Sequence, residues 1–498
     1  MERLRDACGI VGIYAQQNNE HIDVRQYLTL ALTALQHRGQ ESAGMAVYDS
    51  NGRIVHRVGM GKVREVFPDT GTGLPASYCG IGHARYSTTG SSCVENAGPF
   101  VVGGKSEQYK QAEAIAVAHN GNLVNGPALR DLFPADTLYS TTDSEAVALL
   151  LLNAQGETLR ERMISIFPML RGAYSLVLMA EGKLFGVRDP WGMRPLCVGR
   201  IGDSWIIASE SCALERIGAA FVRDVQPGEL VTIDEQGMHV EKLFSYPRQS
   251  LCVFEYIYFS DATSQVNGRY IYTVRESLGR ELAREYPVEA DLVVPVPDSS
   301  IPAALGYSAE SQTPFGLAII KNRYSDRSFI KPDQRLRQME IDLKFNLVRP
   351  HVEGKRLVIV DDSIVRGNTM KRLVAALRRY GAKEIHLRSS APPLRHPCYF
   401  GIDIPQEEEL IAAGRTAEEI ANYIGVDSLG YLSIPGLGRA INAVNAPNVK
   451  LDKDNARRTL HSEFCYGCME KQGWPFNPTE QAQIIRPILR RDMARTGQ

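Results

Sequence analysis

Four groups of residues in this chain have types and spacing that could do chemistry. The first begins at Cys8, in Cys8-Gly9-Ile10-Val11-Gly12. A thiol there could attack an acyl carbon, although a free cysteine on an apolar strand is commonly just a small core residue. Distant pieces accompany it: Gln36-His37-Arg38-Gly39-Gln40-Glu41, His83-Ala84-Arg85-Tyr86-Ser87-Thr88, His119-Asn120-Gly121-Asn122 and Thr142-Asp143-Ser144-Glu145. Opening an amide needs a nucleophile, a proton acceptor and an oxyanion stabiliser. If Cys8 became the first residue, its own α-amine, with a pKa of roughly 7.7–8.0, could be the base. Local readings also exist. Thr142 and Glu145 have the spacing of a helix capping box, with Asp143 merely in its first turn, and Asn120-Gly121 could be a tight turn.

The second group is the run from Leu357 to Thr369. Four apolar residues lead into Asp361-Asp362, then Ser363-Ile364-Val365-Arg366-Gly367, then Asn368-Thr369 at a helix start. Loop amides and a positive helix end suit a phosphate, and the two carboxylates suit sugar hydroxyls. The same pattern also fits another nucleotide on a doubly wound sheet. There is no GxxxxGK[ST] run to cradle a triphosphate. The third group is Val294-Pro295-Val296-Pro297-Asp298-Ser299-Ser300, read as a strand end entering a loop because proline cannot donate to a ladder. Pro302 then fits a helix first turn. Between these, Lys331, Arg335, Arg337, Lys344 and Arg349 make a cationic stretch, either a solvated surface or a lid over an anionic ligand.

The fourth group is cysteine. Cys465 and Cys468 form a CxxC pair, with Cys252 and Cys398 far upstream. A lone CxxC serves zinc, iron–sulfur and thiol chemistry alike. Cys79, Cys93, Cys197 and Cys212 read as ordinary small apolar residues.

The elements that must hold these groups fall into two textures. Up to about residue 235, short β-like runs with glycine punctuation are interrupted by helices over 24–36 and 145–153, an α+β pattern. From about residue 270, apolar strands alternate with amphipathic helices, as in βαβ units with a mostly parallel sheet. Met370, Leu373, Val374, Leu377 and Tyr380 share one helical face, with Asn368 or Thr369 as its cap and Gly381 beyond its end. Residues 446–459 read as a polar segment before a C-terminal tail. A net charge of -1 over 498 residues argues against a nucleic-acid surface. No apolar run is long enough to span a bilayer, and the charged N-terminus lacks a secretory h-region, so a cytoplasmic location is expected. Nine cysteines in a reducing compartment are poor disulfide candidates.

Cys8 and its four companions, in that order over roughly residues 8–240, resemble the glutaminase domain of the N-terminal-nucleophile amidotransferases. The run 357–369 closely resembles the phosphoribosyl pyrophosphate (PRPP) signature of type I phosphoribosyltransferases. Together they resemble the glutamine PRPP amidotransferase family, and the surroundings of Cys252 and Cys398 match its iron–sulfur branch, which also carries an N-terminal propeptide.

The resemblance implies a propeptide (1–7), a glutaminase domain of stacked sheets flanked by helices (8–245), an α/β type I phosphoribosyltransferase domain (246–470) and a tail (471–498). It implies autocatalytic cleavage after Ala7, Cys8 as nucleophile, and Asn120 with the Gly121 N–H as oxyanion stabilisers. Arg85 would take the glutamine α-carboxylate and Asp143 its α-ammonium. Asp361, Asp362, Ser363, Arg366, Gly367, Asn368, Thr369 and Lys331 would bind PRPP, with Mg²⁺ near Ser299, Asp361 and Asp362. Cys252, Cys398, Cys465 and Cys468 would hold a structural 4Fe–4S cluster. The implied reaction makes 5-phospho-β-D-ribosylamine, glutamate and pyrophosphate, opening purine synthesis, with purine nucleotides as feedback inhibitors and a homotetramer as the assembly. A rival is a PRPP-sensing regulator on the same phosphoribosyltransferase fold. Such regulators carry a DNA-binding module, whereas this chain carries a glutaminase half.

Overall fold

The computed structural model describes residues 8–16, 22–69, 73–86, 91–104, 113–245, 248–322, 345–404, 406–445 and 451–482. The expected propeptide 1–7, Lys331 and most of the cationic stretch lie outside the described residues.

Two antiparallel sheets build the first half. One has seven strands in the order Ala220–Asp224, Cys197–Ile201, Ser204–Ala208, Gly9–Tyr14, Cys79–Arg85, Ser42–Tyr48 and Ile54–Met60. The other has six, ordered Gly237–Lys242, Glu229–Asp234, Lys183–Arg188, Gly172–Ala180, Ala114–Leu123 and Phe100–Gly103. Side chains alternate across a strand, and Gly9–Tyr14 shows the consequence. Ile10 and Tyr14 pack between the sheets with Ala116, Ala118 and Val177, while Val11 and Ile13 pack outward with Val24, Leu28 and Leu32 of helix Val24–Ala34. The second sheet is covered on its far face by helices Asp143–Asn153 and Leu159–Ile166. Helix, sheet, sheet, helix is therefore the layer order, as expected for stacked sheets flanked by helices.

The second half has a four-stranded parallel sheet ordered Leu292–Pro295, Arg356–Asp361, Glu384–Ser389 and Ser428–Tyr431. Both faces are buried, which is why residues 357–360 are apolar without alternation. Val358 and Val360 join the core with helices Ile271–Glu285 and Ile301–Ser311, and Leu357 and Ile359 join the opposite one with helix Asn368–Arg379.

One local expectation, the helix cap, needs correction. Helix Asn368–Arg379 has no side-chain cap from Asn368 or Thr369; Gly367, at φ +76°, is the capping residue. The Asn368 side chain instead accepts from the Tyr423 hydroxyl at 3.1 Å. Lys453–Glu463 is a helix capped by the Asp452 carboxylate, and it buries Ala456 and Leu460.

Candidate functional site

The Cys8 thiol is buried and donates weakly to the carbonyl of Tyr86 at 3.8 Å, beside the end of strand Cys79–Arg85. Nucleophile candidate and Arg85 are thus neighbours. Facing this strand layer is Ala114–Leu123, which carries Asn120 and Gly121. They are not a tight turn but strand residues paired with Ser175 and Tyr174. Gly121 has φ +149°, and a Cβ there would meet the Ala173 carbonyl oxygen at 2.0 Å. Glycine is required, and it leaves the backbone bare at that point. Asn120 is fully buried, yet neither polar atom of its amide has a hydrogen-bond partner among the described residues. Burying an amide unpaired costs about 1–3 kcal/mol, and such an orphan invites a ligand-based explanation.

Asp143 takes the helix-start position that its spacing suggested. It opens helix Asp143–Asn153, which Thr142 caps through the Glu145 N–H, while the Glu145 carboxylate turns to the Tyr139 and Ser140 amides. Its own carboxylate accepts from the Leu123 N–H at 2.8 Å and the Ser144 hydroxyl at 3.3 Å, and lies 3.7 Å from His119 Nδ1. Burial opposes its ionisation, but His119 and these donors hold it below the usual carboxylate range. An ionised buried carboxylate suits an ammonium ligand. Sequence reasoning gave no role to His83. Burial, then Arg85 and His119, push it down to about 3, so the ring is neutral, and neither nitrogen has a hydrogen-bond partner among the described residues.

In the second half, a concave pocket is lined by Val296 and by Asp361, Asp362, Ser363, Ile364, Val365, Arg366, Gly367 and Thr369. The Ser299 hydroxyl donates to Asp362 at 2.5 Å, Ser363 donates to the other Asp362 oxygen at 2.7 Å, and Ser300 reaches Asp361 at 3.4 Å. The two motifs, far apart in sequence, therefore converge. Hydroxyl and carboxylate oxygens fit Mg²⁺, which takes few protein ligands and completes its shell with water or substrate phosphate. Arg366 is held by Glu409 at 2.6 Å. Arg349, the described end of the cationic stretch, pairs with Glu353 and lies over the Tyr380 ring.

Cys252, Cys398, Cys465 and Cys468 line one small cavity with Met193, Arg194, Phe400, Ile402 and Trp474. The backbone explains this convergence. Cys252 and Cys465 face each other in a two-residue parallel ladder, and the Cys468 backbone carbonyl accepts the N–H groups of Arg395 and His396, just before Cys398. Burial raises the Cys252, Cys465 and Cys468 thiols, so without a positive centre they stay protonated. Among the described residues, no three His, Cys, Asp or Glu side chains converge as ligands of a single ion. Of the other cysteines, Cys79, Cys197 and Cys212 are buried and Cys93 is half-buried.

The fold and sites define a glutaminase joined to a phosphoribosyltransferase. A glutamine amidotransferase domain family matches residues 103–216, and a phosphoribosyl transferase domain family matches 267–398. Amidophosphoribosyltransferase of Archaeoglobus fulgidus is 47% identical over 439 residues, covering 87% of this chain and 93% of that one. The Bacillus subtilis enzyme of the same name is 41% identical over 440 residues, covering 88% and 90%. A solved structure of glutamine PRPP amidotransferase from B. subtilis, complexed with ADP and GMP, superposes with a TM-score of 0.83 at 38% identity, covering 95% of this chain and 98% of that one. The chain belongs to the amidophosphoribosyltransferase family. It is an enzyme, a glutamine-dependent phosphoribosyltransferase.

Proposed function

We propose that the chain makes 5-phospho-β-D-ribosylamine from glutamine and PRPP, the first step of purine synthesis, with Cys8 as nucleophile. The observation that carries the mechanism is the buried Asn120 amide, without a partner among the described residues, beside bare Gly121 on the strand layer facing Cys8. After cleavage following Ala7, the Cys8 α-amine takes the thiol proton and the thiolate attacks the glutamine amide carbon. Asn120 Nδ2 and the Gly121 N–H stabilise the oxyanion. The protonated amine gives its proton to the leaving nitrogen, and ammonia departs. Water then opens the thioester to glutamate. Arg85 and Asp143 hold the two ends of a free amino acid, which excludes a peptide-bound glutamine.

Ammonia then attacks the anomeric carbon of PRPP and pyrophosphate leaves with inversion. Ser363, Gly367, Asn368 and Thr369 hold the 5-phosphate at the helix start, Asp361 and Asp362 the ribose hydroxyls, and Arg366 and Lys331 add positive charge. Mg²⁺ near Ser299, Asp361 and Asp362 would neutralise charge on the departing diphosphate. The four late cysteines would hold a structural 4Fe–4S cluster that pins the C-terminal segment to both domains. Purine nucleotides act as feedback inhibitors, in keeping with the ADP and GMP in the B. subtilis structure's description. The enzyme is a cytoplasmic homo-oligomer.

Glutamate and pyrophosphate release, measured with anaerobically purified protein and one substrate omitted at a time, tests this reading. Equal release, with glutamate formation rising when PRPP is added, is expected. Glutamate without pyrophosphate would send the ammonia to another acceptor.

A further inference from the structure

Where the two halves meet, two arginines and two glutamates are buried together. Arg38, Arg194 and Glu210 belong to the first half; Glu255 belongs to a short π-helical turn, Glu255–Phe259, whose apolar residues pack in the core of the second. None is more than 1% exposed. Glu255 accepts from Arg38 at 2.8 and 3.0 Å, from Arg194 at 3.2 Å and from the Ser260 hydroxyl at 2.7 Å. Glu210 accepts from Arg38, from Ser264 at 2.7 Å and from the Asp261 N–H at 2.8 Å.

Both arginines continue past the glutamates to the glutamine site. Arg38 Nε donates to the Cys8 carbonyl at 3.4 Å. Arg194 Nη2 donates to the Phe400 carbonyl at 3.0 Å, and a Cβ on the next residue, Gly401, would lie 3.0 Å from the Gly121 carbonyl carbon. One carboxylate thus reaches the nucleophile on one side and the backbone packed against the oxyanion residue on the other. A buried ion network is weak evidence for stability, because well-packed apolar residues often do as well; fixing a specific geometry is the alternative use.

We propose that Glu255, supplied by the phosphoribosyltransferase half, is a positioning residue of the glutaminase site. It fixes Arg38 against Cys8 and Arg194 against the loop beside Gly121. Nucleophile and oxyanion donors are therefore in register only when the two domains are docked through this carboxylate. The inference rests on Cys8 being the nucleophile. Acyl transfer is sensitive to such placement, since a displacement near 1 Å can cost about 100-fold in rate.

The test compares glutamine hydrolysis with ammonia-dependent synthesis in full-length, processed, cluster-loaded enzyme. Glu255→Gln preserves shape but presents an amide to two arginines. It is expected to lower kcat for glutamine about 10- to 100-fold with KM within about twofold, while synthesis from added ammonia stays near the parent value. Arg38→Lys keeps the charge but loses the Nε–H at the Cys8 carbonyl; it should show the same split, and it decides the matter if Glu255→Gln does not fold. Equal loss of both half-reactions in Arg38→Lys, or undiminished glutaminase in either folded variant, overturns the proposal. Cys8→Ala run alongside separates the two ideas. Residual glutaminase there defeats the nucleophile reading, whereas a dead Cys8→Ala with normal Glu255 and Arg38 variants defeats the positioning role alone.

Discussion

The Asn122 side-chain amide donates to the backbone carbonyl of Tyr399 at 2.8 Å, joining the strand of Asn120 and Gly121 to the loop that follows Cys398. Cys398, at one corner of the cysteine cavity, is therefore tied through its neighbour Tyr399 to strand Ala114–Leu123 of the first half. Cys398→Ser is expected to lose iron and acid-labile sulfide from anaerobically purified protein, and to lower the melting temperature of the whole chain rather than of one domain. Zinc at one per chain in the parent would overturn the cluster assignment.

Asn120 makes a sharper demand. Its amide is already desolvated and has no partner among the described residues, so its role should appear only as charge develops on the substrate oxygen. Asn120→Ala should lower kcat for glutamine by roughly 100- to 1,000-fold, about 2.7–4 kcal/mol, with little change in KM. Synthesis from added ammonia should be untouched. A rise in KM at constant kcat would make Asn120 a binding residue instead.

Cys8 can use its α-amine only as the first residue. Intact-protein mass of active enzyme should therefore correspond to a chain beginning at Cys8. Substituting Cys8 by alanine should abolish glutamine hydrolysis, and active protein still beginning at Met1 would sink the N-terminal mechanism.

The carboxylates of the phosphate pocket should separate from the glutamine site in the opposite direction. Asp361→Asn and Asp362→Asn are expected to reduce kcat/KM for PRPP by about 100-fold, equivalent to about 2.7 kcal/mol, while basal glutamine hydrolysis persists. Asp362 should also shift the Mg²⁺ requirement more strongly, because it accepts both Ser299 and Ser363. An unchanged Mg²⁺ titration in both variants would place the ion elsewhere.

Much of this was legible from residue order, because strand periodicity and short motifs are local properties. The apolar run 357–360 announces a strand buried on both faces, and the Asp361-Asp362 loop before a helix announces the place of the pocket. What stayed hidden depends on chain segments meeting across hundreds of residues. Arg38 lies inside the quoted 36–41 motif and Glu255 three residues after Cys252, yet neither composition nor spacing says that they form one ion network. The only signal was a lone carboxylate in the aromatic run 251–259. The Gly367 cap was also missed, since Asn and Thr are the usual caps and only the backbone angle reveals that glycine takes the position.

The His37–Glu210 pair gives the fold a pH dependence with a definite sign. His37 Nε2 lies 2.8 Å from Glu210, with Arg38 and Asp261 also facing it. Burial opposes the His37 charge, but Glu210 outweighs it and holds the ring above its ordinary value of about 6.5. Its stabilisation is therefore complete below about pH 6.5 and fades as pH rises through the raised folded value. Glu210 runs the other way. Burial opposes its charge too, but His37 and Arg38 hold its pKa well below the carboxylate range. Its contribution is complete above about pH 4.3 and fades only in acid. The pair is strongest between these limits. Calorimetric melting of the full chain should show His37→Gln less stable than the parent near pH 6, with the difference shrinking toward pH 9. A difference that stays constant across that range would mean His37 is held neutral and contributes only its shape.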